Sequence, residues 1–456
     1  MEQERNSVME IGVREKPTKG KWVILSFQHV FAMFGATILV PLLVGLPVAV
    51  ALFTSGVGTL IYILCTKAKV PVYLGSSFAY IAAIQSASIV YEGGVAVGQS
   101  FGGVMTALMV VGIVYVVIAM VVKLCGKGWL DKVLPPVVIG PAIMVIGFGL
   151  AGTAISNTGM INGNTEWAKI AVTFFTLILI AVVSLKGKGF LKVIPFIIGI
   201  VGGYLFALII DLIGDFGLFN FTDLEHVAKN PDLWVKIPDF MFIGWENAKT
   251  TIGHTNIIIN KFDTAALLTI VPIALVTACE HIGDHAVLSK VVGQDFLTDP
   301  GLDKTLMGDG VATLFAACVG GPANTTYGEN TSVVGMTKVA SVWVTGLAAI
   351  IAIILSFLNI FAVAIATIPW CVISGMCLIL YGFIGLNGAR ILFDNKVDLG
   401  NTRNLIIISV VLVIGLGGAA ITIDKFSITS TALSAIVGIL LNLFLPKSKE
   451  NKETQE

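Results

Sequence analysis

Apolar residues in this chain run together in long blocks rather than alternating with polar ones. Residues 104–122, 170–185 and 405–416 are almost wholly apolar. A barrel strand alternates over about ten positions. Blocks of this length predict helices instead, which satisfy their own backbone polar groups where water does not reach. Fourteen segments follow one another at roughly 22–43, 47–66, 73–90, 101–124, 133–153, 168–186, 192–213, 263–289, 304–319, 324–338, 339–358, 366–386, 403–419 and 428–446. Segments 73–90 and 324–338 are studded with Gly, Ser, Thr and Asn, and leaving them out gives a competing count of twelve.

Composition narrows the class. The 456 residues are 56% hydrophobic and 12% charged, with mean hydropathy +0.92. An ordinary soluble domain carries about 25% charged residues, so this chain has too little polar surface to enclose its apolar mass in water. An all-α polytopic membrane protein in a lipid bilayer is the expected class. Net charge is zero, and nucleic acid is not an expected partner. The six cysteines show no C-x-x-C spacing and read as small packing residues, with no disulfide, metal or cofactor role.

Loop charges favour fourteen over twelve. With fourteen segments the basic clusters after even-numbered ones, such as Lys67 and Lys69, Lys186 and Lys188, and Lys290 and Lys304, share one side with both termini, Lys425 being the exception. The positive-inside rule makes that side cytoplasmic. The basic residues 1–21 read as a tail with no cleavage site, followed by an uncleaved first span. Residues 214–262 form one long polar stretch, expected outside, and 447–456 a second cytoplasmic tail. The chain then divides into 22–213 and 263–446, seven segments each. An odd number per half makes the second enter in the opposite sense, which is an inverted repeat. Gln28-His29 answers to Glu280-His281 and Ser76-Ser77-Phe78-Ala79 to Thr325-Thr326-Tyr327-Gly328, at offsets of 252 and 249 residues. Gly147-Phe148 and Gly382-Phe383 make a weaker third pair.

Ionisable residues inside spans are costly and mark function. Here they are His29, Glu280, His281, Asp284, His285 and Glu329. Glu280 and Asp284 lie one turn apart on one helix face. The alternative, a glutamate already at the cytoplasmic helix end, is opposed by the two further turns of VLSKVVG. His281 and His285 have i, i+4 spacing, but H-E-x-x-H is absent and the ordinary reading is a polar helix contact. The segment GGPANTTYGEN cannot be a regular lipid-facing helix. An extended piece followed by a short helix from about 327 fits it, and Val70–Gly75 followed by a half-helix from about Ser77 repeats the plan. Two half-helix N-termini would offer N–H donors. Glu280 and Glu329 would offer acceptors, and Phe78, Tyr327 and Tyr80 flat faces or edges. A small planar solute with both N–H and C=O groups matches; a simple anion does not.

The segments QHVFAMFGATILVP (28–41), VPVYLGSSFAYI (70–81), EHIGDH (280–285), NTTYGEN (324–330) and LYGFIGLNGARIL (380–392) resemble the nucleobase–cation symporter-2 (nucleobase–ascorbate transporter) family, most closely its bacterial uracil permeases. The resemblance spans about residues 10–446. It implies fourteen spans in a seven-plus-seven inverted repeat with short strands in broken spans three and ten. Spans one to four and eight to eleven would form a core, and the others a gate that also makes a homodimer. It implies uracil as substrate, bound by Glu280 and Glu329 with backbone groups around Phe78, Tyr327 and Gly328, and with Tyr381 near the core–gate boundary. Proton symport is expected, carried by Glu280, Asp284 and His285, with sodium as the alternative ion. No catalytic residue is expected. One departure stands out: the family's uracil branch has a second histidine where this chain has Asp284, with His285 one place later. A xanthine or other purine symporter and an anion exchanger of the same plan are the alternative functions. A channel, or a metal enzyme using His281 and His285, rests on histidine spacing alone.

Overall fold

The computed structural model describes residues 9–92, 95–126, 128–161, 164–188, 191, 194–241, 249–252, 255–258, 263–423 and 426–446. Helices α1 (Lys19–Val44) and α2 (Val48–Cys65) are followed by a broken segment. That segment consists of strand β1 (Leu74–Ser76), a 3-10 turn (Phe78–Tyr80) and α3 (Ile81–Ser88). Hairpin β2 (Ile89–Glu92) and β3 (Val95–Gln99) leads to α4 (Gly102–Cys125), α5 (Gly128–Val133), α6 (Pro136–Gly149) and α7 (Ala151–Ile155). After β4 (Met160–Ile161) and β5 (Asn164–Thr165) come α8 (Trp167–Lys186) and α9 (Pro195–Gly214). The polar stretch holds α10 (Thr222–Lys229) and the hairpin β6 (Lys249–Ile252) and β7 (Thr255–Ile258). The second half has α11 (Thr264–Ile270), α12 (Ile273–Val292), α13 (Leu302–Cys318), β8 (Asn324–Thr326), α14 (Gly328–Thr337), α15 (Val342–Ser356) and α16 (Asn359–Ala366). It closes with α17 (Trp370–Asp394), α18 (Thr402–Leu416), the hairpin β9 (Ile421–Ile423) and β10 (Phe426–Ile428), and α19 (Ser430–Phe444).

Local chemistry explains the boundaries. Pro136 and Pro195 open α6 and α9, where a missing N–H is harmless. Asp263 and Asn401 cap α11 and α18 by accepting the N–H two residues on, at 2.8 and 3.0 Å. The expected continuous segment 263–289 is interrupted, because Pro272 cannot donate to the preceding turn, and α12 restarts beyond it. The segment expected at 366–386 runs on to Asp394, with Gly388 and Leu392 buried along its last turns.

Among the described residues, eight helices are long and apolar enough to cross a membrane: α1, α2, α4, α6 continued through α7, α8, α9, α11 continued through α12, and α17. Three shorter apolar helices, α15, α18 and α19, fall below that length. Large apolar side chains cover the outside of α8 and α9, among them Ile178, Leu185, Leu205 and Leu212. Such a surface suits lipid and not water.

The packing repeats between the halves. Helix α4 packs on α13 as α2 packs on α15; α8 on α9 as α18 on α19; α8 on α17 as α18 on α6; and α1 on α15 as α11 on α4. Pairs α2–α13 and α6–α17 lie across the middle. Such paired contacts are what two repeats related by a two-fold axis would make. Where α6 meets α17, a Cβ on Gly147 would sit 2.2 Å from the Gly385 nitrogen, so glycine sets the approach of the two backbones.

Two straps close the ends. Residues 10–13 run beside the turn into α15, with Glu10 N–H on the Lys338 carbonyl (2.8 Å), Ala340 N–H on Ile11 (3.0 Å) and Val342 N–H on Val13 (2.9 Å). In the long polar stretch, Lys236 N–H reaches the Phe357 carbonyl (3.0 Å) and Met241 N–H that of Val319 (3.1 Å).

Candidate functional site

The two broken segments meet strand to strand. β1 and β8 pair antiparallel, with Leu74 opposite Thr326, Gly75 opposite Thr325 and Ser76 opposite Asn324. The flanking bonds are related: Ser77 N–H donates to the Ala323 carbonyl (2.8 Å) and Tyr327 N–H to that of Tyr73 (3.3 Å). Three residues of ladder are little by themselves, and each strand is held from behind by a threonine. Leu74 N–H donates to Thr59 Oγ1 on α2 (2.9 Å), and Asn324 N–H to Thr313 Oγ1 on α13 (3.2 Å). A helical turn starts directly after each strand, at Phe78 and at Gly328, and no side chain caps either start. The first-turn N–H groups and the positive end of each helix dipole therefore stand at the crossing.

Carboxylates gather beside it. Helix α12 packs against β8, α14 and the 3-10 turn. It carries half-buried Glu280 and Asp284, and Glu329 is half-buried in the first turn of α14. Glu329 lies within electrostatic range of both Glu280 and Asp284. Thr326 Oγ1 donates to Asp284 Oδ2 at 2.8 Å, tying α12 to β8. Among the described residues, none of these three carboxylates pairs with a lysine or arginine. The arrangement thus offers acceptors on one side and backbone donors on the other. Lysine–carboxylate pairs lie elsewhere; in one of them, Lys69 with Asp299 (2.7 Å), the hydrogen bond holds the exposed Asp299 carboxyl below its ordinary value.

The other expected residues are placed differently from one another. Phe78 is half-buried at the crossing, and Gly328 is exposed with open space where a Cβ would stand. The Tyr327 side chain points inward: its hydroxyl donates to the Ser76 carbonyl (3.0 Å) and accepts from Thr37 Oγ1 (3.2 Å). Its ring lies over Gly75, where a Cβ would come within 2.3 Å of it. Tyr327 therefore brings backbone and not an aromatic face to the crossing. Tyr80 is turned to Thr277, 3.0 Å away. Tyr381 is buried on α17, its hydroxyl beside the Cys377 thiol one turn earlier. His285 faces away from Asp284: its Nδ1 bonds the His281 carbonyl (2.7 Å) and its Nε2 the Tyr62 hydroxyl. His29 is buried on α1, receiving the Asn330 amide at Nδ1 (3.0 Å) and at its carbonyl (3.1 Å).

Sequence reasoning passed over Asp309, buried on α13 and 2.7 Å from His281 Nδ1. The signal was present, since Asp309 is an acid inside the segment expected at 304–319. Open clefts of about 590 and 440 Å³ lie around Phe219–Asn230 and beside Gly12–Glu15. Neither is lined by Glu280, Asp284 or Glu329, so the strand crossing is the candidate site.

Comparison with known proteins agrees on the family. The profile of a family described as Permease family matches residues 20–423. The chain is 45% identical to the uracil permease of Bacillus subtilis strain 168 over 452 residues, covering 97% of each. It is 45% identical to that of Bacillus caldolyticus, covering 96% of this chain and 94% of the relative. Identity to the uracil permease of Escherichia coli K12 is 37%, over 95% of this chain and 93% of that one. Among solved structures, the transmembrane domain of the cyanobacterial bicarbonate transporter BicA superposes with a TM-score of 0.61 at 13% identity, over 93% of this chain and 97% of that one. SLC26A9 superposes with 0.63 at 11% identity, over 94% of this chain and 66% of that one. At such identities the likeness is one of fold.

Proposed function

The chain belongs to the Permease family, and from that membership we propose that this multi-pass membrane protein imports uracil by proton symport across the cytoplasmic membrane. The observation that carries the reading is the meeting of Glu280 and Glu329 with two uncapped helix starts at one strand crossing. Uracil is a planar ring that alternates N–H and C=O. Its N–H groups match the carboxylates, and its carbonyls match the first-turn amides around Phe78 and Gly328. In this reading Tyr381 of α17 closes the other side.

An ionised carboxylate at membrane depth is expensive when nothing answers its charge. A proton removes that expense and lets the carrier reorient, so a proton gradient drives accumulation. Glu280 and Asp284 carry that proton in this reading; His285, facing Tyr62, is a support. Fourteen crossings, seven in each sense, with both termini cytoplasmic and a homodimer through the gate helices, complete the proposal. Bicarbonate-type anion exchange shares the fold, but three carboxylates at the crossing would repel an anion. A purine symporter is the nearer alternative.

The test is labelled uracil uptake into proteoliposomes after a pH jump in sodium-free buffer. Concentrative uptake abolished by a protonophore is the expected result. Uptake that requires sodium overturns the coupling, and competition by xanthine but not by 5-fluorouracil overturns the substrate.

A further inference from the structure

Behind the site a second polar chain runs through the packed interior. The His281 and His285 rings lie with centroids 4.0 Å apart and planes tilted by 31°. The His285 Nδ1–H donates to the His281 carbonyl (2.7 Å), which leaves Nε2 to accept the Tyr62 O–H. Both nitrogens are thereby used and the ring is neutral. His281 differs. Its Nδ1 lies 2.7 Å from Asp309 Oδ2, with both side chains at most 1% exposed. Its Nε2 and the other Asp309 oxygen are buried without a hydrogen-bond partner among the described residues. A structural pair has its polar atoms satisfied; this one is left half-open.

Charge counting gives the open atoms a role. A carboxylate opposite a neutral imidazole leaves one uncompensated negative charge in the interior. One more proton makes the pair neutral overall, as imidazolium and carboxylate. The surroundings supply no other counter-charge. On its own helix the pair faces Glu280, Asp284 and His285. From other elements it faces Tyr62 of α2, Tyr80 of the 3-10 turn, Tyr115 of α4 and, beyond Glu280, Glu329 of α14. All are acids, phenols or a committed neutral histidine, and among the described residues no lysine or arginine pairs with Asp309.

We propose that His281 and Asp309 together hold one exchangeable proton and act as the positioning pair for Glu280, setting whether that carboxylate is presented ionised to uracil. The proposal rests on the reading of the chain as a proton-coupled uracil carrier. The step is a proton binding alone: it arrives from water, resides between Nδ1 and Oδ2 or on Nε2, and returns to water on the other side. With the proton on the pair, the residue next to Glu280 in α12 contributes a positive charge, and ionised Glu280 accepts the uracil N–H. When that proton passes from the pair to Glu280, whose ionised form the bared Asp309 charge disfavours, the neutral carboxyl no longer accepts the uracil N–H and uracil is released; the proton then leaves Glu280 for water.

The experiment measures uracil binding to purified full-length protein across about pH 5–9, spanning the ordinary histidine range, with counterflow and pH-driven accumulation in proteoliposomes. Wild-type affinity is expected to fall as pH rises. Asp309→Asn removes the charge that calls for the proton. It is expected to keep acid-pH binding within about tenfold, flatten the pH profile, keep counterflow and lose accumulation by at least roughly tenfold. His281→Gln, which keeps a donor towards Asp309 without a titrating ring, is expected to flatten the profile too, and it reads the proposal should Asp309→Asn not be recovered folded. A variant with lowered thermal stability but the wild-type pH profile and accumulation would make the pair merely structural and overturn the proposal. Wild-type protein that binds no uracil, or accumulates it without a pH gradient, would instead remove the carrier reading on which the proposal stands.

Discussion

The two broken segments, 74–88 and 324–337, have the same backbone plan and different chemistry. Both run strand, turn, short helix; both exchange one flanking N–H bond with the other; and both are held by a threonine of the helix before them. The bonds equate Ser77 with Tyr327, one place off the match read from the sequence, so where the second carries Gly328 and Glu329 the first carries Phe78 and Ala79. A half-buried ring on one side faces an open gap on the other, and the carboxylate belongs to one side only. Two-fold symmetry builds the frame, and departures from it make a site with distinct donor, acceptor and apolar sides. An asymmetric planar ligand needs such a site.

The largest expected effect comes from erasing the asymmetric acid. Glu329→Gln exchanges an acceptor oxygen for a donor facing a ligand N–H, and uracil binding should weaken by about 1–3 kcal/mol or more, roughly five- to 150-fold or beyond. Equilibrium binding to a monodisperse variant checks this, and wild-type affinity would take Glu329 out of the site. Next come the two glycines of the crossing, which should fail in opposite ways. Gly75→Ala forces the Tyr327 ring off the strand and should lower stability by about 1–3 kcal/mol, read as thermal unfolding in detergent. Gly328→Ala meets no neighbour, so its unfolding temperature should hold while uracil affinity falls. The same response at both glycines would contradict the division into frame and site.

Much of this was legible in the chain. Gly, Ser, Thr and Asn crowded into 73–90 and 324–338 gave the interruptions, because such residues at membrane depth must line or be buried in protein. The repeat gave their relation, and the acids inside apolar runs gave Glu280, Asp284 and Glu329. Side-chain direction was not legible. Tyr327 turns inward because Gly75, more than two hundred residues away, leaves room for its ring. His285 turns from its sequence neighbour Asp284 because consecutive helix positions point about 100° apart and Tyr62 waits on the other side. The break at Pro272 had a local signal in the proline itself, whereas the straps depend on contacts that no local pattern announces.

A smaller effect should follow from loosening α12 from β8. Thr326→Val removes the donor to Asp284 at a cost of about 1 kcal/mol, and uracil affinity should fall no more than about fivefold, while pH-driven uptake shifts its profile. An unchanged profile would leave Asp284 without a part in coupling. The smallest effect belongs to the exposed pair outside the site. Because the Lys69 hydrogen bond holds the folded Asp299 carboxyl low, its contribution is present above the unfolded carboxylate range and fades as pH falls through the folded value. Asp299→Asn should therefore lower the unfolding temperature slightly at neutral pH and not at all in strong acid or high salt, with transport unaltered.

The most direct measurement is labelled uracil binding to the purified wild-type protein, challenged in turn with 5-fluorouracil, thymine, xanthine, hypoxanthine and bicarbonate. Saturable binding displaced by the pyrimidines, unaffected by bicarbonate, and lost in Glu329→Gln is the expected result. No saturable uracil binding, or displacement by the purines alone, would contradict the assignment of the strand crossing as a uracil site.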